Sequence, residues 1–151
     1  MTLIAGFKCE GGVVLCADTQ ETTGAAKYST EKLEAYERDW CRVGIAGAGN
    51  YGDLIDTMVD RIRSGLDRDK PTTSESVRHS ISTTLINVHD NEVRAYPAGR
   101  PEDEIVELLI AVRPEQEQSA ELWATSATAL HPESRYDVRG SAIRRQASVS
   151  G

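Results

Sequence analysis

The sequence predicts an α+β fold in which antiparallel hairpins stand on either side of two adjacent helices. Strand-like hairpin patterns occupy residues 2–46, two amphipathic helical patterns follow in succession, and strand-like runs return after residue 104. Strands that alternated with single helices would favour a parallel sheet. The observed order instead favours antiparallel sheets, one of which is covered by the two helices side by side.

Four strands are predicted before the first helix, and they pair as two hairpins. Short apolar or alternating runs place these strands at residues 2–9, 13–17, 32–36 and 40–46. Turn residues separate the two members of each pair, Glu10-Gly11-Gly12 in the first hairpin and Arg38-Asp39 in the second. The polar segment 19–30 between the hairpins is predicted to be a loop.

Two helices are predicted next, because apolar residues recur at helical spacing in two successive segments. Asn50 or Asp53 can cap the first helix, and Thr72 with Glu75 fits a capping box at the start of the second. The first stripe is Leu54, Ile55, Met58, Val59, Ile62 and Leu66, and the second is Val77, Ile81, Leu85 and Val88. The remaining predictions are a hairpin of residues 105–112 and 120–125, a short strand at 135–141, and a loose tail from about residue 143.

Length and composition are those of one globular domain, which we expect to cover residues 1–151. The chain is 39% hydrophobic and 27% charged, and its net charge of −7 disfavours a nucleic-acid or anionic membrane partner. No membrane span and no secretory signal are visible, so a cytoplasmic location is expected. The three cysteines, Cys9, Cys16 and Cys41, lack metal-ligand spacing and are predicted to be buried reduced thiols, and no cofactor or metal is predicted.

The N-terminus carries groups suited to hydrolysis. Thr2 follows Met1 directly, and a small residue at this position favours removal of the methionine. Removal would leave a hydroxyl and a free α-amine on one residue, and such an amine ordinarily has a pKa of about 7.7–8.0. A hydroxyl beside its own general base is a known form of activated nucleophile.

Gly47, Gly49 and Gly52 match the spacing of a dinucleotide-binding fingerprint. In that fingerprint the helix leads back to a parallel strand, whereas here a second helix follows. A glycine turn before a helix can also present backbone N–H groups to a developing oxyanion. The pattern therefore leaves both nucleotide binding and oxyanion stabilisation open.

The run from Thr2 to Thr22, TLIAGFKCEGGVVLCADTQET, resembles the start of proteasome β-type subunits and their bacterial relatives among the N-terminal-nucleophile hydrolases. Lys32-Leu33 and the run Ile45–Gly49 before an amphipathic helix are similar to the next landmarks of that family. The resemblance covers residues 2–90 with good specificity and 104–141 loosely. It implies an αββα sandwich of antiparallel sheets, and because the family continues beyond the last landmark, we expect this sandwich to be C-terminally incomplete.

The resemblance also implies catalytic roles. Thr2 matches the nucleophile, Lys32 the catalytic lysine, and Asp18 the acid that holds this lysine. Gly47 matches the glycine whose N–H helps form the oxyanion hole, and Ser141 matches a serine near the amine of the nucleophile. An ammonium beside that amine disfavours its protonation, and a buried lysine needs a counter-charge.

Substrate contacts are implied for the backbone of Thr22, which would pair with an extended peptide, and for Gly47 and Gly49. The implied partners are an unfolded protein or peptide substrate, further copies of the chain in a homo-oligomeric ring, and an ATPase unfoldase. The leading hypothesis is therefore a cytoplasmic threonine endopeptidase. Two alternatives stay open, namely a non-catalytic or truncated scaffold subunit of the same fold, and a nucleotide-binding module that uses Gly47, Gly49 and Gly52.

Overall fold

A computed structural model describes residues 3–23, 26–29, 32–49, 52–94, 106–126, 128–133 and 136–140. The elements of this part are, in chain order, β1 (Leu3–Cys9), β2 (Gly12–Ala17), β3 (Gln20–Thr23), β4 (Ala26–Ser29), β5 (Leu33–Glu37), β6 (Cys41–Ala48), α1 (Gly52–Asp69), α2 (Ser74–Val88), β7 (Glu107–Pro114), β8 (Glu121–Ser126), β9 (Ala129–Glu133) and β10 (Tyr136–Gly140). A π-helical turn, His89–Arg94, continues α2.

The strands pair into three antiparallel sheets, so the predicted α+β fold with antiparallel sheets is confirmed. The sheet orders are β10–β1–β2, β3–β4 and β5–β6–β7–β8–β9. The predicted loop at residues 19–30 is wrong in part, because Gln20–Thr23 pairs with Ala26–Ser29 as a hairpin. Strand β9 was not predicted, since its Pro132 weakens the strand signal, and it lies at a sheet edge where proline is tolerated.

The described residues build three layers, in the order helices, five-stranded sheet and three-stranded sheet. The helices cover one face of the five-stranded sheet, where the main core includes Val43, Ile45, Ile62, Leu85, Ile110 and Trp123. The opposite face of that sheet packs on the three-stranded sheet through Ile4, Ala46, Ala48, Leu109, Leu122 and Ala124. Burial of these apolar side chains is the main favourable contribution to folding.

The predicted buried stripes of the two helices are confirmed. All of the predicted residues of α2 are buried, and all of those of α1 are buried except Ile55, which is half-buried. No helix in the described ranges, including α1 and α2, has both the length and the apolar character that a membrane span requires.

The capping box predicted from Thr72 and Glu75 is wrong by one residue. Thr73 is the N-cap, with an extended backbone, and its Oγ1 accepts the N–H of Ser76 at 3.2 Å. The Oγ of Ser76 in turn accepts the N–H of Thr73 at 3.1 Å. A serine therefore performs the return bond that the sequence pattern assigned to a glutamate.

The prediction of three buried thiols holds for only one of them. Cys41 is buried at the start of β6, and burial, with a weaker contribution from nearby Asp67, raises its pKa to about 11. Cys9 and Cys16 are exposed. The reason is that successive side chains of a strand alternate between faces. Cys16 therefore lies on the outer face of the three-stranded sheet, with Val14 and away from Leu15.

The outer face of strands β1 and β2 in the three-stranded sheet is apolar. Phe7 lies opposite Val14 in the register of β1 and β2, and both are exposed, as is Leu3 further along β1. Antiparallel sheets that face water usually alternate apolar and polar side chains. An exposed apolar face of this kind is typical of a contact surface.

At one end of the sandwich, the turn between β7 and β8 is tied to the start of α2. One carboxylate oxygen of Glu117 accepts the N–H of Ser74 at 2.7 Å, and the other accepts its hydroxyl at 2.6 Å. The N–H of Gln116 donates to Thr72 O at 3.2 Å. The bonds from Ser74, first the hydroxyl and then the backbone, lower the pKa of Glu117. An anion at this position also suits the positive end of the helix dipole.

We predict that Glu117→Gln lowers the free energy of unfolding by about 1 kcal/mol at neutral pH, the usual cost of a lost cap. Because Glu117 has a lowered pKa in the folded chain, its ionised form stabilises the fold above the ordinary carboxyl range. The stabilisation is lost as the pH falls through the lowered pKa of Glu117 in the folded chain, below that range. Urea unfolding measured at pH 7 and at successively lower pH, down to about pH 2.5, should therefore show the wild type and the variant converging as the pH falls.

Glu115→Gln is the matched control, because Glu115 contributes its backbone N–H to Trp40 O while its side chain is exposed. We expect this variant to stay within about 0.5 kcal/mol of wild type. Equal losses in the two variants would contradict the assignment of the stabilisation to the Glu117 carboxylate.

Candidate active site

Asp18 follows β2 directly and holds the first residues of β1. Its N–H donates to Leu3 O at 3.0 Å, and its Oδ2 accepts the Leu3 N–H at 3.2 Å. Leu3 is therefore bonded through both of its backbone polar groups. Thr2 is attached covalently to Leu3 and lies outside the described residues. The anchored Leu3 backbone fixes the point from which Thr2 extends.

Lys32 lies just before β5 and points at the same carboxylate. Its Nζ donates to Asp18 Oδ1 at 2.7 Å, and the two side chains are 9% and 33% exposed, respectively. A largely buried ammonium requires a counter-charge, since transfer of a lone charge out of water costs several kcal/mol. The predicted contact between Asp18 and Lys32 is thus present in the structure, and their catalytic roles stay predictions.

Gly47 lies near the end of β6, beside the start of β5. Its N–H donates to the carbonyl oxygen of Lys32 at 3.0 Å. The backbone donor predicted to bind an oxyanion is therefore already hydrogen-bonded within the chain. An oxyanion would have to replace Lys32 O as the acceptor of this N–H. With that condition, the role of Gly47 stays a prediction.

The position of Gly47 admits no larger residue. A Cβ added there would lie 2.6 Å from Ile55 Cγ2 of α1 and 3.4 Å from Leu108 Cδ2 of β7. The first distance is far below van der Waals contact, so only glycine allows the helix to approach this closely. Helix α1 therefore touches the backbone of the candidate site directly.

Lys32 connects two of the predicted site residues that the structure describes, Asp18 and Gly47. Its side chain reaches Asp18, and its carbonyl oxygen reaches Gly47. Thr22 lies in β3 opposite Lys27 of β4, and Gly49 follows the end of β6. Their substrate contacts stay predictions. Ser141, like Thr2, falls outside the described residues, so its predicted place near the amine is not observed.

Sequence reasoning missed two residues of this region. Asp18 binds the backbone of Leu3, and a bond to a backbone atom does not depend on the residue type. The sequence therefore does not indicate it. The sequence identifies Ile55 only as a member of the apolar stripe of α1. Helical spacing shows which face of a helix is buried, and it does not show which atoms that face touches.

The glycine pattern Gly47, Gly49 and Gly52 lies in surroundings unlike those of a dinucleotide site. Strand β6 pairs antiparallel with both β5 and β7, and α1 is followed by α2. A dinucleotide fingerprint needs a parallel βαβ unit, which places the helix N-terminus at the end of a parallel sheet. The described part of the chain around these glycines does not provide that unit.

Comparison with known proteins places the chain in a family. The family described as proteasome subunit matches residues 2–130. Proteasome subunit beta 2 of Pyrococcus furiosus is 30% identical over 88 residues, which are 58% of this chain and 42% of that protein. The chain therefore spans about two fifths of the length of this relative.

Solved structures share the fold over almost the whole chain. An Anbu mutant from Hyphomicrobium sp. has a TM-score of 0.73 at 14% identity, with 93% of this chain and 60% of that chain covered. Anbu from Yersinia bercovieri, described as an ancestral beta-subunit, has a TM-score of 0.71 at 12% identity, with 99% and 65% covered.

A third structure, eukaryotic HslV from Trypanosoma brucei, has a TM-score of 0.62 at 17% identity, with 98% of this chain and 78% of that chain covered. These likenesses agree with the antiparallel sheets and the paired helices described above. The family match extends over well over half of the chain. The protein therefore belongs to the proteasome subunit family and has the fold of the N-terminal-nucleophile hydrolases.

Proposed function

We propose that the chain is a threonine endopeptidase in which Thr2 is the nucleophile. The observation that carries the proposal is the largely buried ion pair of Lys32 and Asp18, whose carboxylate also binds the backbone of Leu3. These bonds bring a positive charge and a fixed backbone to the residue that follows Thr2. Family membership supports the same assignment.

In the proposed reaction, removal of Met1 frees the α-amine of Thr2. The ammonium of Lys32 disfavours protonation of this amine, which therefore stays available as a base. The amine takes the proton of the Thr2 hydroxyl, and the hydroxyl oxygen attacks a peptide carbonyl. Collapse of the tetrahedral intermediate expels the amine of the substrate, which receives the proton, and leaves an ester on Thr2. Water then hydrolyses this ester.

The oxyanion of the tetrahedral intermediate is proposed to bind the N–H of Gly47 in place of Lys32 O. A positioned backbone donor of this type typically contributes ~3–4 kcal/mol to transition-state stabilisation. Ser141 is proposed to lie near the Thr2 amine. Thr22 and Gly49 are proposed to bind the backbone of an extended peptide.

The wider setting is also part of the proposal. We propose one domain over residues 1–151 that assembles as a homo-oligomeric ring in the cytoplasm, receives unfolded proteins as substrates, and works with an ATPase unfoldase. Proteasome-subunit relatives and fold neighbours described as Anbu and HslV support an assembly of this class. Ring assembly would also cover apolar surface that the separate chain exposes.

A non-catalytic scaffold subunit is the second candidate, and one observation favours it. The apolar outer face of strands β1 and β2, with Leu3, Phe7 and Val14 exposed, is suited to a partner. Such a subunit would use the fold for contact and would not need a free Thr2 amine. The two functions differ in whether Thr2 is needed for peptide hydrolysis.

We predict that Thr2→Ala abolishes hydrolysis of a fluorogenic peptide amide, with a loss of at least about a thousandfold, because the attacking hydroxyl is removed. Thr2→Ser keeps a hydroxyl and an amine on one residue and should retain measurable turnover. The measurement is the steady-state rate of each variant, with N-terminal sequencing to establish that residue 2 is the first residue of the active protein.

Full activity of Thr2→Ala would reject the proposed nucleophile. Catalysis by protein that keeps Met1 would reject the proposed base. A folded wild type without activity towards any peptide, in the presence or absence of an unfoldase, would favour the scaffold subunit. Circular dichroism of all three proteins would separate loss of chemistry from loss of fold.

We predict that Lys32→Met reduces kcat/KM and moves the acidic limb of its pH profile to higher pH. The variant removes the ammonium and leaves the Asp18 carboxylate without this partner. Both changes favour the protonated form of the Thr2 amine, which cannot act as a base. The measurement is kcat/KM of a peptide amide between pH 5 and 10.

Lys8→Met is the matched control, since Lys8 is an exposed lysine of β1 outside the proposed machinery. Its pH profile should equal that of wild type. Lys32→Met is also expected to be less stable than wild type, because it leaves a partly buried carboxylate without its counter-charge. The double variant Asp18→Asn with Lys32→Met removes both charges together, so it should regain part of that stability without regaining activity. An unchanged pH profile in Lys32→Met would contradict the proposed role of the lysine.

A further inference from the structure

Two contacts hold Gly47 in this structure, one at its N–H and one at its Cα. The N–H is bonded to Lys32 O at 3.0 Å. At the Cα, the Cγ2 methyl of Ile55 lies only 2.6 Å from the position that a Cβ would take, so this methyl packs against the Cα. The first contact is a hydrogen bond that a ligand can compete for. The second is a van der Waals contact that remains whichever acceptor the N–H uses.

Ile55 is suited to a fixed contact of this kind. It lies in the first turn of α1, beside Leu54, and the buried residues Leu54, Met58 and Ile62 anchor the helix to the five-stranded sheet. A β-branched side chain within a helix has one strongly preferred χ1 rotamer. The position of the Cγ2 methyl is therefore set by the helix backbone, and the helix is set by its buried face.

We propose that Ile55 is a positioning residue for the Gly47 peptide, acting through its Cγ2 methyl, and this inference rests on the function proposed above. The contact keeps the Gly47 N–H in place while its acceptor changes from Lys32 O to the oxyanion. Without the methyl, the peptide group is free to shift towards the space it leaves, and the N–H no longer meets the oxyanion at its best distance. Ile55 does not itself touch the reacting atoms.

Two substitutions separate this role from the general effect of a changed side chain. Ile55→Val keeps both γ-carbons and loses only the terminal methyl. Ile55→Leu keeps the volume but has no branch at Cβ, so the Cγ2 methyl is absent. Leucine has the higher helix propensity, so a simple loss of helix stability would harm the valine variant more. The proposed role reverses that order.

We expect Ile55→Leu to lower kcat by about tenfold with KM unchanged. A misplaced N–H weakens the stabilisation of the transition state and leaves the binding of the ground state as it was. Ile55→Val should stay within about twofold of wild type on the same grounds. Ile86→Leu, at an exposed position of α2, is a matched exchange outside the machinery and should leave both constants unchanged. Equal losses of kcat in the leucine and valine variants, or a change confined to KM, would overturn the proposal.

A second measurement needs no catalysis. In a Thr2→Ala background, the ¹⁵N shift and the hydrogen-exchange rate of the Gly47 amide report the position of this peptide group. We expect both to change in Ile55→Leu and to stay near wild type in Ile55→Val. Unchanged values in the leucine variant would overturn the positioning role. If the amide responds as expected and the wild type hydrolyses no peptide, the positioning contact stands and the proposed function fails.

Discussion

The largely buried ammonium of Lys32 orders the end of the sandwich at which the proposed site lies. Lys32 precedes a strand of the five-stranded sheet, whereas Asp18 follows a strand of the three-stranded sheet, and their side chains meet at 2.7 Å. Because a lysine removed from water is tolerated only beside an opposite charge, this pair joins the two sheets at this end. The same carboxylate then orders the backbone of Leu3, so that one ion pair sets the geometry of the proposed site.

The opposite end of the sandwich is organised by different contacts. Glu117 closes the start of α2, and the N–H of Glu115 bonds to Trp40 O in the turn between β5 and β6. The first contact binds the helical layer to a turn of the sheet beneath it, and the second joins two turns of that sheet. Helix α1 is held instead by its buried face, and its first turn presents Ile55 to Gly47.

Periodic patterns in the sequence were enough to predict the hairpins β1–β2, β5–β6 and β7–β8, the two helices and the buried faces of these helices. Features set by backbone geometry were not accessible in this way. The hairpin at Gln20–Thr23 is polar and pairs through main-chain atoms. Thr72 and Thr73 are adjacent and both have polar residues three positions later, so only the extended backbone at Thr73 identifies the cap. At the candidate site, family order indicated the contact of Asp18 with Lys32, but the acceptor of the Gly47 N–H depends on strand register.

In the proposed reaction, the hydrogen bond between Gly47 N–H and Lys32 O would change how the binding energy of the substrate is used. A neutral substrate carbonyl that displaced Lys32 O would exchange one amide acceptor for another of similar strength, so the ground state would gain almost nothing from this donor. A negatively charged oxygen accepts a hydrogen bond roughly twice as strong as a neutral one does. Because the Gly47 N–H already has an internal acceptor, the substrate would gain only the difference between a charged and a neutral hydrogen bond. This gain would arise when the oxyanion forms in the transition state, and only such a gain accelerates a reaction.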